Sequence, residues 1–237
     1  VLIIKSMALN FDINRPQSLS AYIDHTLLKA EASKHQVRVL CDEALDCHFF
    51  SVCINPWMIT TAREVLRTTN VNICSVVGFP LGATESSVKS FETGRAFNLG
   101  AHEVDMVLNI GALKAQEYSY VEKEILSVVR AAEGNLVKVI FETCLLTDEE
   151  KKKACELSLN AGAHFVKTST GFSTGGATVA DVKLMKSIVK QRAQVKASGG
   201  IRDLQTAAQM IEAGATRLGT SSGVLLVKGQ DASSRNY

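Results

Sequence analysis

Short apolar, β-branched runs alternate along this chain with longer segments whose apolar positions recur every three to four residues. The runs AYID, FFSVCI, NICSVVGF, EVDMVLN, VKVIFE, FVKTS, QVKAS and TRLGT read as strands. Between them, KHQVRVLCDEALDC, SSVKSFETGRAFNLG, YSYVEKEILSVVRAAEG, DEEKKKACELSLNAG, TVADVKLMKSIVKQ and DLQTAAQMIEAG carry helical periodicity. Gly100, Gly134, Gly162 and Gly214 stand where a helix must stop before the next strand, a place that favours a left-handed residue. NLGAHEV and NAGAHFV look like one helix-to-strand junction used twice, and EAGATRL like a third version.

About eight such units in 237 residues predict an α/β fold, a single (β/α)8 TIM barrel spanning residues 1–237. The rival is an open doubly wound sheet, but no GxGxxG opens the chain. With three prolines and no low-complexity linker, no domain boundary is visible. Residues 1–10 read as an extension ahead of the barrel, with Met7 a candidate natural start, and residues 228–237 as a polar C-terminal tail.

Composition narrows the function. Lys plus Arg number 26 and Asp plus Glu 24, so the net charge is +2 and a dedicated nucleic-acid or membrane partner is not expected. The opening VLIIKSMALN is too short for a span or a signal peptide. Six cysteines without a CxxC pair fit reduced thiols and a cytoplasmic location. The five histidines are scattered without metal-ligand spacing, and His102 and His164 fall at the repeated junctions, away from the barrel mouth. No GxSxG elbow or Walker loop is present.

In a barrel, functional side chains lie at the C-terminal strand ends. Asp24, Cys53, Asn55, Asp105, Asn109, Glu142, Lys167, Lys196 and Thr220 occupy such positions in the predicted strands. Lys167 and Lys196 fall on consecutive strands, which lie ~4.8 Å apart. Two ammonium groups at that separation repel by roughly 3 kcal/mol, enough to favour the neutral form of one of them. A neutral amine attacks carbonyls and forms a Schiff base. Spacing alone does not say which lysine attacks. Asp105, set among apolar residues, reads as the ion-pair partner of a lysine and as a proton relay beside it. Asp24 reads either as a helix N-cap or as a carboxylate of the site, and Cys53 as a small buried thiol or a reactive one. SGGIRD and GTSSGV are small-residue loops where (β/α)8 barrels bind phosphate through backbone N–H groups.

Taken together, IDHTLLK, SVCINP, SVVGFPLGA, EVDMVLN, ETCLLTDEE, FVKTSTGF, GGAT, VKASGGIRD and GTSSG resemble the deoxyribose-phosphate aldolase family from about Tyr22 to Gly223. The resemblance implies a metal-independent, cofactor-free class I aldolase. It would reversibly cleave 2-deoxy-D-ribose 5-phosphate to acetaldehyde and D-glyceraldehyde 3-phosphate, a step in deoxynucleoside breakdown. By motif position it makes Lys167 the Schiff-base lysine, Lys196 its amine neighbour and Asp105 the proton-relay carboxylate. Asp24, Cys53, Thr168, Thr170, Gly171, Gly175, Gly176, Gly199, Gly200, Gly219, Ser221 and Ser222 become the expected substrate and phosphate contacts. Some members carry lysine after KTSTG where this chain has Phe172, so one cationic phosphate contact is missing. In such a family Tyr237, at the end of the tail, can fold over the site, against the plainer reading of a solvated tail. A homo-oligomer, dimer or tetramer, is expected. The alternatives are another lysine-dependent sugar-phosphate aldolase and a non-catalytic phosphosugar-binding barrel.

Overall fold

A computed structural model describes residues 11–230. The expected extension over residues 1–10 and Tyr237 lie outside the described residues. Eight parallel strands close into a barrel in chain order. They are β1 (Ile23–Leu27), β2 (Ser51–Ile54), β3 (Asn72–Val77), β4 (Glu103–Val107), β5 (Leu136–Ile140), β6 (Phe165–Lys167), β7 (Gln194–Ser198) and β8 (Arg217–Thr220). β1 pairs with both β2 and β8, so no edge is left open.

The helices are α1 (Lys34–Asp46), α2 (Ile59–Leu66), α3 (Ser86–Leu99), α4 (Ile110–Lys114), α5 (Tyr118–Ala131), α6 (Asp148–Asn160), α7 (Val179–Val189), α8 (Leu204–Glu212) and α9 (Gly223–Val227). Their buried faces follow helical spacing: Val37, Leu40, Cys41 and Ala44 on α1, and Val121, Glu124, Ile125 and Val128 on α5. Capping boxes start α1 (Ser33 with Gln36) and α6 (Thr147 with Glu150), each cap contributing about 0.5–2 kcal/mol.

The repeated junction is the same in structure as in sequence. Gly100 stops α3 with φ of 113°, and Gly162 follows α6 with φ of 82°. Two residues later, His102 Nδ1 accepts from the Ile73 N–H and His164 Nδ1 from the Val137 N–H. Each imidazole thereby satisfies the start of a neighbouring strand, which is a structural role.

Two points of the local reading change. The first strand does not end at Asp24: a 3-10 helix opened by Pro16 runs to Tyr22, and β1 then starts at Ile23. Asp24 is therefore near the beginning of its strand and is not a helix N-cap. Helices α2 and α4 were not anticipated, because both are too short for a clear period. α3 buries Lys89 on its inner face. Its ammonium pairs with Glu124 at 2.8 Å and donates to the carbonyls of Gly82 and Val107, fastening the loop after β3 to the end of β4.

Candidate active site

Strand alternation sends Asp24, Ser51, Cys53, Cys74, Glu103, Asp105, Lys138, Lys167, Lys196 and Arg217 into the barrel, where all are buried. Contacts between non-adjacent strands prove the direction. Lys196 on β7 reaches Asp105 on β4, and Arg217 on β8 reaches Glu103 on β4.

Asp105 is the centre of this cluster. Its Oδ2 accepts from Lys167 Nζ at 2.8 Å and from Lys196 Nζ at 2.8 Å. The two amines, on residues that are register partners, are thus no farther apart than twice that distance. Asp105 Oδ1 accepts from Lys138 Nζ at 2.8 Å and from the Cys74 thiol at 3.1 Å. Lys138 also pairs with Glu103 at 2.5 Å, Arg217 bridges Glu103 and Asp24, and Lys196 pairs with Asp24. The amines therefore do not face each other bare, as strand spacing alone had suggested. They share a counter-ion, because Asp105 crosses the barrel between them.

Counting charges sets one amine of the cluster apart. The cluster holds three carboxylates (Asp24, Glu103, Asp105) against four cations (Lys138, Lys167, Lys196, Arg217). One cation is surplus. Among the described residues, Lys138, Lys196 and Arg217 each pair with two carboxylates, whereas Lys167 pairs with Asp105 alone. Lys167 is also the last residue of its strand, on the side of the mouth. It is the amine of the cluster with the fewest carboxylate partners and the one set nearest the mouth.

The same network sets the acids. Burial alone would raise the Asp105 carboxyl, but Lys138, Lys167 and Lys196 outweigh it and hold it well below the usual carboxylate range. Burial also opposes ionisation of Asp24 and Glu103, and their cationic neighbours again win and lower both. Burial would lower Lys196, yet Asp105 and Asp24 hold it well above the ordinary lysine value. A depressed carboxylate contributes stability above its unfolded value and loses it as pH falls through its folded value. The unfolded chain then binds more protons, so acid favours it. The urea midpoint is expected to hold near neutrality and to drop steadily below about pH 4, as denaturation followed by circular dichroism would record. A midpoint that is flat down to about pH 2.5 would contradict the ion-paired core.

The chain matches the DeoC/LacD family aldolase model over residues 19–228. It is 59% identical over 215 residues to the deoxyribose-phosphate aldolase of Streptococcus sanguinis, covering 91% of this chain and 98% of that protein. Against the same enzyme of a Geobacillus strain it is 57% identical over 221 residues, covering 93% and 99%. The chain belongs to the DeoC/LacD family of aldolases. Among solved structures it resembles the deoxyribose phosphate aldolase from Aeropyrum pernix, of unique tetrameric structure (TM-score 0.85, 35% identity, 91% and 93% covered). It also resembles the aldolase QR15 (TM-score 0.85, 43% identity, 89% and 94% covered).

Around the aldolase cluster, the expected small-residue loops converge in part. A Cβ on Gly176 would lie 2.3 Å from the Gly199 carbonyl oxygen, and the Ala177 N–H donates to that same oxygen. A Cβ on Gly199 would meet Gly171 Cα at 3.7 Å, so the loops after β6 and β7 meet at these glycines. Gly175 lies against Cys144, Gly200 is exposed, and Ser221 and Ser222 form the turn between β8 and α9.

Other expected contacts are placed elsewhere. Asp24 lies on the barrel floor, paired with Arg217 and Lys196, because its strand starts later than predicted. Cys53 is fully buried beside Cys74. Gly219 is inside the wall, where Ser198 Oγ and Lys196 Cε occupy the space its Cβ would fill, so it makes room for the lysine instead of facing the loops. The Thr168 hydroxyl already serves the backbone, donating to Ser198 O and accepting from Ser198 N–H. Thr170 donates to Glu142, a residue held at φ of 57°, and accepts from the Phe172 N–H. Phe172 is exposed and sets its ring edge-on to Phe79 at 5.3 Å. Asn109 caps α4, and Asn55 donates to Leu28 O.

Sequence reading missed Lys138, Glu103, Arg217 and Cys74. A signal was available: Glu103 is two residues before Asp105 in a strand and must share its face, and Lys138 interrupts the apolar run LVKVI. Among the described residues, the ligand atoms of Cys53, Cys74 and Asp105 lie within 4.8 Å of one another, a spacing a metal could bridge. Three ammonium groups on Asp105 oppose a further cation there. No helix among the described residues is long and apolar enough to cross a membrane.

Proposed function

We propose that this chain is a class I aldolase that reversibly cleaves 2-deoxy-D-ribose 5-phosphate to acetaldehyde and D-glyceraldehyde 3-phosphate. One observation carries the reading: Lys167 and Lys196 meet on one oxygen of Asp105, in a cluster with one cation too many. The Lys167 amine adds to the C1 aldehyde of the open-chain sugar and loses water, giving an iminium. That iminium accepts the electron pair of the C2–C3 bond as the C3 hydroxyl gives up its proton. The three-carbon aldehyde phosphate departs. The remaining enamine is protonated at C2, and water releases acetaldehyde and the amine. Asp105 and Lys196 carry the proton traffic, since Asp105 touches the Lys167 nitrogen and shares that same oxygen with Lys196.

The phosphate fits the junction of Gly171, Gly176 and Gly199, with Gly175, Gly200, Ser221 and Ser222 at its border. Backbone N–H groups can hold an anion there without a charged side chain. Phe172 adds no cation, so the backbone carries more of that contact. Free thiols at all six cysteines suit a reducing compartment such as the cytoplasm. The tetrameric relative favours self-association of this chain as well. The test compares cleavage of deoxyribose 5-phosphate with that of fructose 1,6-bisphosphate. Turnover of the first and none of the second is expected. The reverse preference would assign another sugar-phosphate aldolase, and no turnover of either would leave a binding barrel.

A further inference from the structure

The aldol chemistry leaves two nucleophiles of the barrel unused. Cys53 and Cys74 are register partners on β2 and β3, both fully buried, both free and both directed inward. Neighbouring parallel strands set such residues at a Cα separation of about 4.8 Å, inside the range a disulfide spans. Their sulfurs lie within 4.8 Å of each other and of an Asp105 oxygen. The Cys74 thiol donates to Asp105 Oδ1 at 3.1 Å and also hydrogen-bonds the Cys53 sulfur. Lys138 Nζ stands 3.4 Å from the Cys74 sulfur.

We propose that Cys53 and Cys74 form an oxidative modification site, converted to a disulfide by a peroxide-class oxidant. This does not rest on the proposed substrate, because its primary readout is covalent. The Cys53 sulfur attacks one peroxide oxygen, the O–O bond breaks, and the displaced hydroxide leaves as water after taking the thiol proton. The resulting sulfenic acid is attacked by the Cys74 sulfur: the S–S bond forms, the S–O bond breaks, and hydroxide leaves as water with the Cys74 proton. Two thiols lose two hydrogens in all, and one peroxide becomes two waters. The order follows from the environment. The hydrogen bond from Cys74, helped by Lys196, outweighs burial and brings the Cys53 thiol down to about 7, whereas burial pushes Cys74 well up. Cys53 is the attacking thiolate and Cys74 the resolving thiol. The disulfide removes the S–H that Asp105 accepts, which connects the modification to the lysine cluster.

The reduced full chain is treated with hydrogen peroxide and mapped by peptide mass spectrometry without reduction. The expected product joins the Cys53 and Cys74 peptides with a loss of two hydrogens, and dithiothreitol reverses it. Aldol turnover, where the proposed activity is present, falls in step with the link and returns on reduction. In Cys74→Ser, dimedone traps a sulfenic acid on Cys53 and no link to residue 74 forms. The proposal is overturned if both thiols stay free while the exposed Cys144 oxidises, or if wild-type Cys53 proceeds to sulfinic acid without a link. Should the variant not fold, the wild-type map alone decides.

Discussion

Replacing Lys167 by methionine is expected to abolish turnover while leaving the fold in place. The loss should be on the order of 10⁴- to 10⁶-fold, the scale on which removal of a covalent nucleophile or its orienting partner acts in well-studied hydrolases. No other amine can substitute. Lys196 is committed to Asp24 and Asp105, and Lys138 to Glu103 and Asp105. Stability should change by no more than about 1–2 kcal/mol, because Asp105 keeps two ammonium partners and the cluster loses only its surplus charge. Steady-state kinetics beside urea denaturation separate the two effects. An active Lys167→Met protein would reject the assignment, and an unfolded one would reject the charge count.

Asp105→Asn combines a catalytic loss with a structural one. The carboxylate is the partner of three buried lysines, and its removal leaves four cations against two carboxylates. Breaking a buried ion pair by deleting one partner costs about 3–5 kcal/mol. In a chain of this size that lowers the melting temperature by on the order of 10 °C. Turnover should also fall by roughly 10²–10⁴-fold, the range for loss of acid–base assistance. Calorimetry and kinetics on the same preparation check both. A variant that melts like the parent would mean that Asp105 is not the centre of the charge network.

The barrel could be read from the chain because its signals are local. Eight β-rich runs, the recurring AlaHis junction and the stop glycines each depend on a few neighbouring residues. The pairing of Lys167 with Lys196 was legible too, since consecutive strands must be adjacent and both lysines sit near strand ends. What spacing could not supply was the floor of the barrel. Arg217 and Glu103 are far apart in sequence and lie on opposite strands, so only closure of the sheet brings them together. Asp24 was misplaced for a local reason: Pro16 and the residues after it favour a 3-10 turn that delays the strand. Gly219 looked like part of a loop because GTSSG is glycine- and serine-rich, yet its missing Cβ accommodates Lys196 and Ser198.

On the proposed mechanism one amine of the three in the barrel, that of Lys167, is chemically distinct. Incubation with acetaldehyde and borohydride, followed by peptide mapping, tests it most directly. A reduced two-carbon adduct is expected on Lys167 and none on Lys138 or Lys196. An adduct on either of those lysines, or no adduct on any, would contradict it.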